Sequence, residues 1–199
     1  GAESIKVRGN SRLGFPCRDQ LGNVRAWIQC DWAGAPIPVG PRDARTLAKT
    51  ALTGPASGSI VGSLDGRVVW KVEGPKDLAS LLSAGLPEGH SAFTTACGAS
   101  ETPALWILDR LRGKPVVVIH DADDAGVGAN RKWAAALAAA GAEPRIVNLP
   151  FEHGSGKDLR DFLAEGETVD DLRAMARAAE TVVASERLTA ATATSGSGA

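Results

Sequence analysis

Two runs of β-branched residues that break off in carboxylates constrain this chain more than anything else in it. Val68-Val69-Trp70-Lys71-Val72 ends in Glu73-Gly74-Pro75-Lys76-Asp77, and Val116-Val117-Val118-Ile119-His120 ends in Asp121-Ala122-Asp123-Asp124-Ala125-Gly126. Short, nearly continuous apolar runs are the mark of strands buried on both faces of a parallel sheet. Ligands of open α/β sheets bind at the C-terminal edge, which is where these carboxylates fall. Asp121 and Asp123 are two residues apart and so point the same way from an extended backbone, with Glu73 expected at the end of a neighbouring strand. Three carboxylates in one cleft repel and raise one another's pKa, so the arrangement is sensible when a cation arrives. Oxygen ligands select a hard ion, Mg²⁺ or Mn²⁺.

Helical patterns alternate with these strands. Pro75 suits a first helical position, and Leu78, Leu81 and Leu82 continue a stripe that stops near Gly85. Ala92 to Ala96 reads as a strand and Gly98 as a turn, with Thr102-Pro103 opening a helix through Leu105, Ile107, Leu108 and Leu111. Asp124 is the better cap for the next helix, which packs through Trp133 and Leu137 and ends at Gly141. Arg145 to Leu149 is a further strand, Lys157 to Leu163 a short helix, and Val169 to about Arg187 a longer one. Strand-helix alternation over residues 68–149 implies βαβ units and a parallel sheet flanked by helices, an α/β fold.

Ahead of that core, Arg12 to Asp19 and Val24 to Trp32 alternate apolar with polar or basic residues around the turn Gln20-Leu21-Gly22-Asn23 and read as a hairpin. Residues 33–45 are rich in Gly and Pro and read as loop; Arg42 to Leu52 is expected to form a short helix, and Ile60 to Leu64 a short strand. Charge is uneven. Residues 1–50 hold eight Lys/Arg against four acids, so they carry +4 of a total of −1, and the remainder carries −5. A basic front beside an acidic, metal-loving section suits an enzyme that grips a phosphate backbone with one part and acts on it with the other, although an uneven solvated surface gives the same count. The expected organisation is a loose N-terminus over 1–10, a basic subdomain over 11–64, the main α/β domain over 65–166, a helical segment over 167–188 and a flexible tail over 189–199.

Several classes of function are excluded or disfavoured. No apolar run approaches the roughly 20 residues of a membrane span, and the N-terminus lacks a signal-peptide pattern, so a cytoplasmic protein is expected. Cys17, Cys30 and Cys97 form no Cys-x-x-Cys pair and read as reduced core thiols rather than a zinc ribbon. Gly154-Ser155-Gly156-Lys157-Asp158 fails as a phosphate loop, because Phe151 stands at its first glycine position and Asp158 at its Ser/Thr position. Gly126-Val127-Gly128 lacks the third glycine of a dinucleotide site, at Arg131.

Glu73-Gly74-x-x-Asp77 and Asp121-x-Asp123-x-x-Gly126, in that order at two strand ends, resemble the Toprim domain over roughly residues 66–165. That domain is shared by DnaG-type primases, type IA and type II topoisomerases and several nucleases and recombination proteins. Arg12-Leu13-Gly14-Phe15-Pro16-Cys17-Arg18-Asp19-x-x-Gly22-Asn23-Val24 is similar to the segment ahead of the Toprim domain in DnaG-type and mobile-element primases. Gly156-Lys157-Asp158-Leu159-Arg160-Asp161-Phe162-Leu163 is similar to an element of phage primase-helicases, with Arg160 where that element has asparagine.

The resemblance implies RNA primer synthesis on single-stranded DNA from ribonucleoside triphosphates, with Mg²⁺ or Mn²⁺. Asp121 and Asp123 would be metal ligands, Asp77 and Asp158 would support them, and Glu73 would complete the metal shell or take the hydroxyl proton. Lys76, Lys157 and Arg160 would meet triphosphate oxygens, and Arg18 and Arg25 the template. No zinc-module spacing is present, so such a module or a replicative helicase would lie elsewhere. A metal-dependent nuclease and a non-catalytic nucleic-acid-binding module are the competing readings; topoisomerase is disfavoured because the chain has no tyrosine. Bland roles stand beside these: Asp123, Asp124 and Asp158 as helix caps, Asp77 as a surface partner of Lys76 or Lys71, and His120 as a hydrogen-bonded core residue; Trp27 and Trp32 could stack on bases, but hairpin core is the commoner fate of such residues and the preferred one for Trp27. If Arg18 and Arg25 supply the phosphate contacts, gel-shift affinity for single-stranded DNA falls about tenfold between roughly 50 and 200 mM salt; binding unchanged by salt would contradict this.

Overall fold

The β-branched runs form adjacent parallel strands, and the rest of the molecule is laid out from them. The computed structural model describes residues 3–7, 10–31, 37–38, 47–48, 50–96 and 101–183. Its strands are β1 (Glu3–Val7), β2 (Asn10–Arg18), β3 (Val24–Cys30), β4 (Ile37–Pro38), β5 (Leu47–Ala48), β6 (Thr50–Thr53), β7 (Ile60–Gly62), β8 (Val68–Val72), β9 (His90–Thr95), β10 (Pro115–Ile119) and β11 (Glu143–Ile146). Its helices are α1 (Pro75–Ala84), α2 (Leu105–Leu111), α3 (Asp124–Ala139), α4 (Leu159–Ala164) and α5 (Val169–Ala178).

One sheet runs in the order β11-β10-β8-β9-β7-β2-β3-β6, with β1 also paired to β2. From β11 to β9 the pairing is parallel. From β9 outward it is antiparallel, through β7 and the β2–β3 hairpin to β6. The α/β core expected from the strand-helix alternation is therefore present, and the hairpin continues its sheet. The β8–β10 register pairs Val72 with Ile119, so Glu73 and His120 follow side by side at the sheet edge.

Side-chain alternation splits the interior into two layers. Trp70, Val72, Val117 and Ile119 face one layer together with Leu78 and Leu81 of α1, Leu159 and Phe162 of α4, Leu172 of α5 and the hairpin residues Phe15, Ile28 and Cys30. Val69, Val116 and Val118 face the other with Ile107 and Leu111 of α2 and Trp133 and Leu137 of α3. A strand buried on both faces needs apolar residues at every position, which accounts for the unbroken runs in the sequence. Cys17 and Cys30 are buried thiols, and burial pushes the Cys30 thiol up.

Some local expectations need correction. Leu47–Ala48 and Thr50–Thr53 are strands rather than part of a helix, because Thr50 to Thr53 pair with β3, and tertiary pairing overrides local propensity. The α2 cap is Ala104, not Thr102, and the α3 cap is Asp123, not Asp124. Trp27 is only half-buried. Trp32, Cys97, Gly98 and residues 184–199 lie outside the described residues. No helix among the described residues is long and apolar enough to cross a membrane.

Gly62 joins the two parts of the sheet at φ +102°, and a Cβ there would stand 2.2 Å from the Ala92 carbonyl oxygen. Gly62→Ala is expected to lower stability by about 1–3 kcal/mol, read as a shift in denaturant midpoint at unchanged slope.

Candidate active site

The site begins where β8 and β10 end. Glu73 Oε2 accepts a hydrogen bond from the Asp121 backbone N–H at 3.1 Å, tying the first acidic motif to the second. The Glu73 carbonyl oxygen accepts from the buried Thr94 hydroxyl of β9 at 2.7 Å, so three neighbouring strands fix this corner. Asp121 lies two residues past the strand, and Asp123 opens α3 by accepting from the Gly126 amide at 2.7 Å. Gly126 is there for space: a Cβ would stand 2.2 Å from the Asp121 carbonyl oxygen. The loop before α4 closes over this turn through Ala122 N–H to Lys157 O at 3.3 Å and Gly154 N–H to Ala122 O at 2.8 Å.

Asp77 and Asp158 converge on the same corner from the starts of α1 and α4. Asp77 Oδ2 accepts from the Gly74 amide at 3.0 Å, while its buried Oδ1 has no hydrogen-bond partner and faces Arg160 Nε at 3.4 Å. Asp158 caps α4, accepting from the Arg160 and Asp161 amides at 2.8 and 3.2 Å, and it also holds the Arg160 guanidinium. Asp77 is thus buried and paired with Arg160, not a surface partner of Lys71 or Lys76.

Electrostatics marks this corner as short of positive charge. Burial, then Glu73, Asp77, Asp158 and Asp123 push the Asp121 carboxyl up to about 7. Burial and Asp158 push Asp77 up to about 6, against the pull of Arg160. Among the described residues no three His, Cys, Asp or Glu side chains converge closely enough to chelate an ion alone. A hard divalent ion nevertheless fits the donor set, given the orphaned Asp77 oxygen and the all-oxygen ligands around Asp121. Mg²⁺ commonly takes one or two protein carboxylates and fills its remaining positions with water and substrate phosphates.

The basic residues expected at the site are dispersed. Arg160 sits between Asp77 and Asp158. Lys157 pairs with Glu165 at 2.6 Å and lies over the Phe151 ring, while Lys76 is half-buried in the first turn of α1. Arg18 and Arg25 are exposed beside the hairpin turn, where Arg18 donates to the Gly22 carbonyl at 2.9 Å. Arg18 also lines a groove of about 650 Å³ with Ser63, Asp65, Leu82 and His90, a groove that includes none of the carboxylates at the β8 and β10 ends.

Beneath the carboxylates lies a buried polar group. His120 is the expected core histidine, its Nδ1 2.7 Å from Asn130 Oδ1 and its Nε2 3.3 Å from Lys71 Nζ. Burial and then Lys71 push its pKa down to about 3. Lys71 is fully buried; its one sequence signal is a lone charge inside an apolar strand, two residues before Glu73 and so on the same face.

Residues 70–163 match the family model described as Toprim-like. The chain is similar in structure to the zinc-binding and RNA polymerase domains of the Aquifex aeolicus primase, at 21% identity and a TM-score of 0.60, covering 89% of this chain and 44% of that one. For the E. coli primase catalytic core the values are 20% identity, a TM-score of 0.59, and 89% and 57% coverage. For the primase fragment of the bacteriophage T7 primase-helicase they are 18% identity, a TM-score of 0.56, and 87% and 66% coverage. These likenesses show the fold: the chain has that of DnaG-type primase cores and spans about half of the two bacterial chains. No curated protein matches it.

Asp158 is predicted to act first as a helix cap. Asp158→Ala should cost about 1–2 kcal/mol and Asp158→Asn much less, since asparagine keeps the capping oxygen; thermal denaturation of both variants measures the difference.

Proposed function

We propose that this chain, whose residues 70–163 form a Toprim-like domain, is the catalytic core of a DnaG-type primase, joining ribonucleotides on single-stranded DNA. One observation carries the reading: Glu73 and Asp121 meet across adjacent strand ends, where burial and then the surrounding carboxylates push Asp121 up to about 7. Charge concentrated in this way is costly to a fold and useful where divalent cations dock. A scaffold that only bound nucleic acid has no use for it.

Bound Mg²⁺ or Mn²⁺ would stabilise the attacking and leaving oxygens of nucleotidyl transfer. Glu73, Asp121 and Asp123 would hold it directly or through water, with substrate phosphates completing its shell and with Asp77 and Asp158 behind them kept in place by Arg160. Glu73 is also the candidate to accept the proton of the attacking 3′-hydroxyl, a role open to a carboxylate beside the reacting group. Lys76 and Lys157 would neutralise triphosphate oxygens; Lys157 would leave Glu165 to do so. Arg18 and Arg25, on the hairpin, would hold the template backbone. A helicase or zinc module would act as a partner, in keeping with the similarity to a primase with a zinc-binding domain and to a primase-helicase.

Labelled ribonucleotides, single-stranded DNA and Mg²⁺ or Mn²⁺ test this directly. Wild type should make short oligoribonucleotides, and Asp121→Ala and Glu73→Ala should each reduce synthesis roughly 100-fold or more. Metal-dependent loss of template without synthesis would replace this reading with a Toprim nuclease.

A further inference from the structure

Among the described residues Lys71 is the one fully buried cation near the carboxylates, and the groups against its ammonium are rich in electrons. Nζ donates to the Val72 carbonyl at 2.6 Å and lies 5.0 Å from the centroid of the Trp133 ring. Its third neighbour, 3.3 Å away, is His120 Nε2. An ammonium has hydrogens to give and no lone pair, so Nε2 must accept. The ring proton is then on Nδ1, where it is donated to the buried Asn130 Oδ1 at 2.7 Å. A carbonyl oxygen, an imidazole lone pair and an indole face together form a cage suited to a positive charge. Asn130 completes it by fixing the histidine tautomer, a role the metal reading leaves unused.

The position of the cage gives it a purpose. Val72 precedes Glu73 and His120 precedes Asp121, so the two groups that accept from Lys71 belong to residues adjoining the two principal carboxylates. Lys71 and Glu73 are two residues apart on one strand and so share a face, and Glu73 is first among the carboxylates whose charge acts on the ammonium, ahead of Glu101 and Asp77. We propose that Lys71 is an internal counter-cation for Glu73, holding the repulsion of the carboxylate corner in check before a divalent ion arrives and thereby lowering the affinity with which that ion is bound. The ion is then gripped loosely enough to enter and leave with each nucleotide. This inference rests on the metal-binding reading above and assigns the regulation of metal affinity to a residue outside the metal shell.

The test is Mn²⁺ binding, measured by electron paramagnetic resonance of the free ion at fixed salt with no nucleotide or DNA, on wild type, Lys71→Met and Lys71→Gln. Methionine fills the same volume with an unbranched apolar chain; glutamine keeps a donor but carries no charge. If charge is what Lys71 supplies, both variants bind Mn²⁺ about tenfold or more tightly than wild type, and the Mg²⁺ concentration that half-activates synthesis falls with it. Leu172→Ile, a buried change in α5 in the other core layer, leaves Mn²⁺ affinity where it was. Affinity that is unchanged or weakened in both variants overturns the proposal, as does tightening in Lys71→Met alone, which would assign the effect to hydrogen bonding. Wild type that takes up no Mn²⁺ would overturn the metal reading itself, a result distinct from either.

Discussion

Repulsion among carboxylates is the constraint around which this molecule is arranged. The parallel pairing of β8 with β10 sets two strand ends side by side, and both ends turn acidic at the same level of the sheet. Around them the fold supplies partial answers. The Asp121 amide donates to Glu73, the α3 and α4 amides satisfy Asp123 and Asp158, and Arg160 spans Asp77 and Asp158. Hydrogen bonds from backbone amides favour the charged form of a carboxylate, so each cap serves a helix and the acidic cluster together. Burial and then the repulsion that remains uncompensated fall on Asp121, which is why its carboxyl stands so far above the ordinary range.

Helix starts do much of the positioning. Asp77 belongs to the capping box of α1, Asp123 caps α3 and Asp158 caps α4 with its own capping box. A capping carboxylate is held by its own backbone, so its oxygens are placed without a second shell of side chains. The opposition drawn in the sequence between a capping aspartate and a functional one therefore dissolves at Asp123. One carboxylate both starts the helix and stands in the acidic corner, because helix N-termini attract anions. The proposed role of Lys71 completes this picture from beneath the strand ends, with a cation approaching from the interior.

The hairpin ahead of the main domain is part of the same sheet. β7 pairs with both β2 and β9, so the parallel half and the antiparallel half share one hydrogen-bonded surface. Through Phe15, Ile28 and Cys30 the hairpin also packs into the layer that holds α1 and α4. A basic element connected in this way cannot swing freely relative to the carboxylates, which suits a part that is proposed to hold a template at a set distance from the chemistry.

Much of this was legible in the residues alone. Strand and helix order over residues 68–149 follows from continuous apolar runs, from period-3.6 patterning and from Pro75, Gly85 and Gly141, because buried strands and amphipathic helices tolerate few other residue types. The carboxylates of both motifs were legible as well, since a charge that ends a buried run must lie at the sheet edge. Other features were decided by tertiary structure. Residues 47–48 and 50–53 became strands because partner strands were available to them. Arg160 went to Asp77 and Asp158 because the starts of α1 and α4 converge there, a juxtaposition between residues far apart in the chain. Burial of Lys71 against Trp133, with His120 and Asn130 beside it, depends on how α3 lies on the sheet, and no local pattern encodes that distance. Sequence by itself determined which residues carry charge to the edge of the sheet; the tertiary structure decided which of those charges meet, because opposition between side chains is a property of packing and not of spacing along the chain.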